Sequence, residues 1–274
     1  MYQTRNRWVV QVVMVLAVLG FIGISLAPLI GAFNKPTPEK KLTQESKLED
    51  EARGLDLVLQ REPNNQAALK SLLEARLLLY RQGKANIKEV IEPLEKLAKL
   101  NPEKTEYTVL LAQAKLGAGD KEGAAAAYRS ILQTKPGDIK ALQGMVALLL
   151  NQKRPEAAIG LLQETLSTTA PKANKIQPGS VDTTAVQVML GNVYSSQKRN
   201  AQAIEVYDEA IKKDQQDFRP VLAKAMLLKT QGKIDEAKPL FTKAAALAPA
   251  NYKDQINQLS AGAPTPTPNT TPKQ

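Results

Sequence analysis

Apolar positions along most of this chain recur three and four residues apart, in runs of helical length broken by Gly, Pro, Asp and Asn. The first such run, from Gln44 to Gln60, puts Leu48, Ala52, Leu55 and Leu59 on one face and ends before Pro63. Farther on, from Thr184 to Asn251, one pattern is written twice at a spacing of 34 residues. Leu190, Gly191 and Tyr194 are followed by Ala203, Tyr207 and Ala210. One period later stand Lys224, Ala225 and Leu228, then Ala237, Phe241, Ala244 and Pro249. Pro63, Pro102, Pro136 and Pro249 each stop the second helix of a unit. The spacing predicts helix pairs at 66–104, 105–138, 139–172, 184–217 and 218–251. A half-repeat before them and a short helix from Tyr252 to Leu259 cap the array, which spans 44–260.

Within a unit, counted from its first helical residue, small side chains fall at offsets 8, 20 and 27 and a ring at offset 24. Small residues let two antiparallel helices approach closely, so Ala203 is expected opposite Gly191, with the ring filling the gap to the next pair. The pattern resembles the tetratricopeptide repeat (TPR) family. That resemblance implies an all-α fold, an α-solenoid of antiparallel helix pairs. Two departures interrupt the period. The unit 66–104 is five residues longer than the others, with the excess near Gly83 to Glu89. An insert of 11 residues, Ala173 to Thr183, follows Pro171 and is expected to form a loop at one edge.

Composition narrows the chemistry. Hydrophobic residues make up 43% of the chain and aromatics only 4%, which suits Ala- and Leu-packed helices better than a β-sandwich. There is no Cys and no His, so thiol nucleophiles, imidazole bases, Cys/His zinc sites and disulfides are excluded. Gly117, Gly119 and Gly123 join two helices of one unit and do not follow a strand, as a phosphate loop would. The Asn269-Thr270-Thr271 triplet in a Thr-rich stretch is a chance match to a glycosylation acceptor. No carboxylates converge on a common point, and no catalytic, cofactor or metal site is expected. The net charge of +10 is spread along the chain. It reads as a solvated helical surface, with a nucleic-acid-associated basic protein as the alternative.

Trp8 to Phe33 is an almost unbroken apolar run of 26 residues. As a helix at about 1.5 Å per residue it exceeds a hydrocarbon core of roughly 30 Å. With Arg5, Arg7 and Trp8 at its start, residues 1–33 read as an uncleaved transmembrane anchor. The competing reading is a signal peptide, for which the apolar run is too long and Pro28 a poor cleavage context. Charge alone leaves the orientation open, since Lys35, Lys40, Lys41 and Lys47 follow the run. Residues 34–43, with Pro36 and Pro38, are expected to be a linker. The Pro/Thr-rich stretch 261–274 is expected to stay disordered.

The family resemblance implies a binding groove lined by the first helix of each unit. Its matching positions are Lys70 and Glu74, then Glu106, Val109 and Gln113, then Lys140, Gln143 and Asn151. The last two units add Val188, Asn192 and Ser195, then Arg219, Leu222, Met226 and Lys229. The chain departs from the clamp that grips chaperone carboxylates, because Glu74 and Leu110 stand where asparagines are needed. Its polar and aliphatic lining fits an extended peptide or a partner helix. The strings Ala68-Leu69-Lys70-Ser71-Leu72-Leu73-Glu74 and Asp217-Phe218-Arg219-Pro220 resemble the membrane-anchored thylakoid TPR proteins of cyanobacteria and plastids. That likeness implies a non-enzymatic scaffold for assembly of photosynthetic membrane complexes, with its array on the lumenal or periplasmic side. Its partners would be protein subunits or assembly factors, with no specific nucleic acid. An envelope TPR factor unrelated to photosynthesis is the alternative.

Overall fold

The structure, a computed structural model, describes residues 38–261. All its regular elements are helical, with no strand among the described residues. None of these helices is long and apolar enough to cross a membrane. The expected anchor, Trp8 to Phe33, and the proline- and threonine-rich stretch from residue 262 lie outside the described residues.

Two compact units divide the chain, one up to Leu100 and one from Asn101. The first contains helices α1 (Pro38–Arg61), α2 (Gln66–Arg81) and α3 (Ile91–Leu100). Helix α1 begins inside the stretch expected to be a linker. Its first residue is Pro38, a position where a missing N–H costs no helical hydrogen bond. Gly83, in the left-handed region at φ 73°, ends the first of the two helices in this longest repeat. A 3-10 turn, Ile87–Val90, then leads into α3. Asn86 caps it reciprocally with Glu89, so the extra residues form a defined second N-terminus. Arg76 closes this unit. It donates to both Asp56 oxygens, at 2.8 and 2.9 Å, and to the Glu89 carbonyl at 2.7 Å, tying α1, α2 and the 3-10 turn together.

The second unit stacks four helix pairs. They are α4 (Thr105–Gly117) with α5 (Lys121–Thr134), and α6 (Ile139–Asn151) with α7 (Pro155–Glu164). After the segment α8 (Ala170–Ile176) come α9 (Thr183–Ser196) with α10 (Asn200–Lys213), and α11 (Phe218–Thr230) with α12 (Ile234–Leu247). Helix α13 (Ala250–Ala261) packs on α12. First helices of neighbouring pairs touch one another, α4 on α6, α6 on α9 and α9 on α11, so they form a layer of their own.

Three of the four first helices open on an aspartate, and all four close in the same way. Asp138, Asp182 and Asp217 stand at N-caps and accept from backbone N–H groups of Ala141, Ala185 and Arg219. At the other end the chain turns through φ > 0 at Gly119, Lys153, Lys198 and Gly232. The next residue's N–H bonds five residues back, as Arg199 does to the Tyr194 carbonyl at 2.9 Å, satisfying a carbonyl that the helix leaves open.

Rings meet backbone both within a pair and between neighbouring pairs. A Cβ on Gly191 would stand 2.2 Å from Tyr207 Cε1, and one on Gly144 2.2 Å from Tyr128 Cζ. The side chain nearest Gly191 is therefore Tyr207, and Ala203, expected opposite Gly191, is fully buried. A phenol lying on a bare stretch of α9 buries its ring and brings its hydroxyl to the edge, where Asn192 Oδ1 accepts from it at 2.7 Å. Burial pushes the Tyr128 phenol up to about 12 and raises that of Tyr207 further.

The 11-residue insert is not an edge loop. Helix α7 runs on through a π-turn, Thr165–Thr169, into α8, so Ala173 to Ile176 are helical. Pro171 sits in the first turn of α8 and does not stop the helix. At the start of a helix the missing proline N–H is not required. The remaining residues fold back on Asn174. That side chain donates to the Val181 carbonyl at 3.0 Å and accepts from the Val181 N–H at 2.8 Å, as a strand neighbour would. Val181 is buried, and a Cβ on Gly137 would meet the Ser180 carbonyl at 2.3 Å.

Arg219 joins the last two pairs. It reaches Asp182 Oδ2 at 2.6 Å and Asp182 Oδ1 at 3.1 Å, and it also holds Asp217, so one guanidinium bridges the N-caps of α9 and α11. Asp217 raises the Arg219 pKa most, against the cost of burial, with Asp182 adding to it. Burial pushes the Asp182 carboxyl up. The Arg219 hydrogen bond and charge and the bonds from Ala185 and Thr184 outweigh it, and the carboxyl lies below its ordinary value.

Three stability predictions follow from this packing. Gly191→Ala should cost about 1–2 kcal/mol in a thermal or urea melt, because crowding against a buried ring exceeds the gain of about 1 kcal/mol in helix propensity. Gly160→Ala, at an α7 position with nothing within 4 Å, should instead raise stability. At the left-handed turns, Gly232→Ala should cost about 1–2 kcal/mol. Lys198→Gly should gain by less than that, since glycine also loosens the unfolded chain. Finally, Asp182→Asn keeps a capping side chain and removes the charge. The depressed carboxyl contributes stability above its unfolded pKa, about 3.9, and loses it as pH falls through the lower folded value. The parent's lead over this variant, about 0.5–1 kcal/mol at neutral pH for so exposed a pair, should therefore shrink below about pH 4 and vanish once the folded-state carboxyl is protonated.

Candidate functional site

The uncovered side of the first-helix layer in the second unit is the candidate surface. Its residues divide into those already engaged and those that are free. Val109 is buried in the core between α4, α5 and α6. Arg219 is held by Asp182 and Asp217, and Lys229 donates to the carbonyls of Leu259 and Ser260 at the end of α13. The Lys229 ammonium also stands 5.8 Å from the centre of the Phe241 ring, a cation–π contact. Asn192 is exposed and uses its Oδ1 for the Tyr207 hydroxyl, which leaves its amide N–H groups outward.

Gln113 and Asn151 are exposed and Gln143 half-buried. Their side chains make no hydrogen bond among the described residues. Ser195 and Val188 are half-buried on α9. Leu222 and Met226 are half-buried on α11, against the last core cluster. Glu106 and Lys140 are exposed near the starts of α4 and α6. Lys70 and Glu74 are exposed on α2, in the first compact unit.

Between α11, α12 and α13 lies a cavity of about 320 Å³ lined by Met226, Lys229, Thr230, Phe241 and Leu259. Its walls are aliphatic and aromatic, with one ammonium at the rim. Sequence reasoning placed Met226 and Lys229 on this surface. It missed Phe241, Leu259 and the two carbonyls that hold Lys229, which come from helices later in the chain. Asp182 and Asp217 were missed as well, although an aspartate immediately before each of these first helices signals an N-cap. Among the described residues no group of three or more acidic, Cys or His side chains could hold a metal. The surface offers amide donors and acceptors, aliphatic ledges and one apolar cavity, which suits recognition of a polypeptide.

The comparisons with known proteins agree with the fold. The tetratricopeptide repeat family profile matches residues 61–248. No curated protein matches the chain. Among solved structures, yeast Tom70 superposes with a TM-score of 0.51 at 15% identity, over 90% of this chain and 45% of its own. The chain thus spans less than half the length of Tom70. Pseudomonas aeruginosa PilF gives a TM-score of 0.43 at 20% identity, over 74% of this chain and 89% of its own. MamA from Desulfovibrio magneticus RS-1 gives 0.39 at 19% identity, over 72% and 95%. A profile that covers more than half of the chain, on helix pairs of this construction, decides the matter: the protein belongs to the tetratricopeptide repeat family.

Proposed function

We propose that this protein is a membrane-tethered scaffold that holds a protein partner on the first-helix face of its second unit and aids assembly of a photosynthetic membrane complex. As a TPR protein it belongs to a family of protein-interaction modules. The observation that carries the reading is the layer α4, α6, α9 and α11, which presents Gln113, Gln143, Asn151 and Asn192 to solvent while the second helices cover its other side. Amide side chains both donate and accept, so they can pair with the backbone of an added segment without desolvating a charge. The apolar run Trp8 to Phe33 supports the tether. The strings at 68–74 and 217–220 support the thylakoid setting, with the array on the lumenal or periplasmic side.

Co-purification from detergent-solubilised membranes tests the scaffold. The parent chain should bring down a reproducible partner. The triple change Gln113→Ala, Gln143→Ala, Asn151→Ala should lose it while melting within about 0.5 kcal/mol of the parent, as surface substitutions do. Loss of melting stability with the partner retained would overturn the assignment of this face. Release by strong salt of nucleic acid instead of protein would favour the basic, nucleic-acid-associated alternative. Carbonate washing followed by intact-mass measurement tests the tether, which fails if the protein enters the wash or lacks residues 8–33.

A further inference from the structure

Helix α1 turns an apolar stripe to solvent. Pro63 stops it where the second helix of a unit stops, yet no first helix pairs with it among the described residues. It packs on α2 through the side that carries Ala52 and Leu59, both buried. On the side turned away from these, Glu51, Gly54, Leu57, Val58 and Arg61 follow one another at helical spacing, and all are exposed. Leu57 is 61% and Val58 41% exposed, and a Cβ on Gly54 would meet nothing within 4 Å. Glu51 and Arg61, at the two ends of the stripe, make no ion pair among the described residues. We propose that this stripe is a self-association surface: two copies of the chain pair their α1 helices antiparallel about a two-fold axis, with Val58 of each seated over Gly54 of the other.

The stripe is complementary to itself, which is what a two-fold contact requires. Gly54 lies three residues after Glu51, and Arg61 lies three residues after Val58. The antiparallel register that sets Val58 over the other copy's Gly54 therefore also sets Arg61 against the other copy's Glu51. The two-fold axis repeats both contacts and brings Leu57 close to its own counterpart. A parallel copy would instead oppose Glu51 to Glu51 and Arg61 to Arg61. A partner of one charge would match only one end of the stripe. The bare backbone at Gly54 admits the valine, so the helices can approach to the short end of the usual separation of about 8–10 Å. An antiparallel neighbour is also what α1 lacks, since each second helix of the second unit packs on a first helix of its own pair. Burying two leucines and two valines that now stand in water supplies the driving force.

This surface belongs to the first unit and the scaffold face to the second, so neither reading rests on the other. Sedimentation equilibrium of the full chain in density-matched detergent reads the association. One helix crossing is at the small end of specific interfaces, so the parent should dimerise weakly, in the micromolar range. Arg61→Glu and Glu51→Arg should each weaken the dimer about tenfold or more, because each places like charges opposite one another twice. The chain carrying both changes restores opposite charges on both sides and should return to within about threefold of the parent. Gly54→Leu fills open space and favours the helix, so it should leave the melting temperature unchanged or higher while abolishing the dimer. Because the protein has no cysteine, Leu57→Cys introduces a single thiol, and a short bis-maleimide should join two copies, but not when Val58→Asp is added. A parent that stays monomeric through the micromolar range, a dimer indifferent to Arg61→Glu or to Gly54→Leu, or a double charge exchange no better than either single change would each overturn the proposal.

Discussion

Everything in the second unit depends on how closely two antiparallel helices can approach, and side-chain size decides that. The residues at the crossings are Ala112, Ala124, Ala158, Ala203, Ala225 and Ala237, all buried, with Gly191 and Gly144 lying under tyrosine rings. A close approach removes backbone from water as well as side chain, so the polar groups at each helix end have to be satisfied locally. That is why the same N-cap aspartates and the same left-handed closures recur from pair to pair. The small residues, caps and turns are three consequences of one packing distance. A change at any of them is felt first by the pair that contains it and then by the pairs beside it.

Most of this was legible. The 34-residue spacing in Thr184 to Asn251 located helix pairs because the period of a repeat survives even where individual residues vary. The packing partner of Gly191 was less legible. Spacing says that Gly191 and Ala203 are both small and buried, but the ring chosen to fill the gap is set by the rotamer of Tyr207 and by the Asn192 oxygen waiting at the edge. The insert was hidden for a different reason. Pro171 reads as a stop in any local rule, and only a π-turn, which depends on bonds five residues apart and on a buried Thr165, carries a helix through it. Asn174 then replaces missing backbone partners for Val181, a role that no composition rule for loops would assign.

Site residues showed the same limit more sharply. Register tells which way Arg219 and Lys229 point, yet both cations are met by groups from other parts of the sequence, Asp182 in one case and the end of α13 in the other. Their engagement changes the chemistry of the face, since both cations already have partners within the protein. The amides of Gln113, Gln143 and Asn151 kept their exposure and gained importance by contrast. The cation partners come from the next pair or from the terminal helix, beyond the reach of spacing within one unit.

That division has a consequence for how the protein would respond to occupancy. Lys229 stands on α11 and at the same time holds the last helix, so a group that takes up its ammonium must loosen the hold on Leu259 and Ser260 or share it. An ammonium has three donors, and two are committed, which leaves one to offer without disturbing α13. A carbonyl oxygen can use that remaining donor at little cost. A carboxylate would take that donor in a stronger, charge-assisted bond. Occupancy at this end of the face is therefore coupled to the hold on α13, whose packing also closes the hydrophobic core around Phe241 and Ile256.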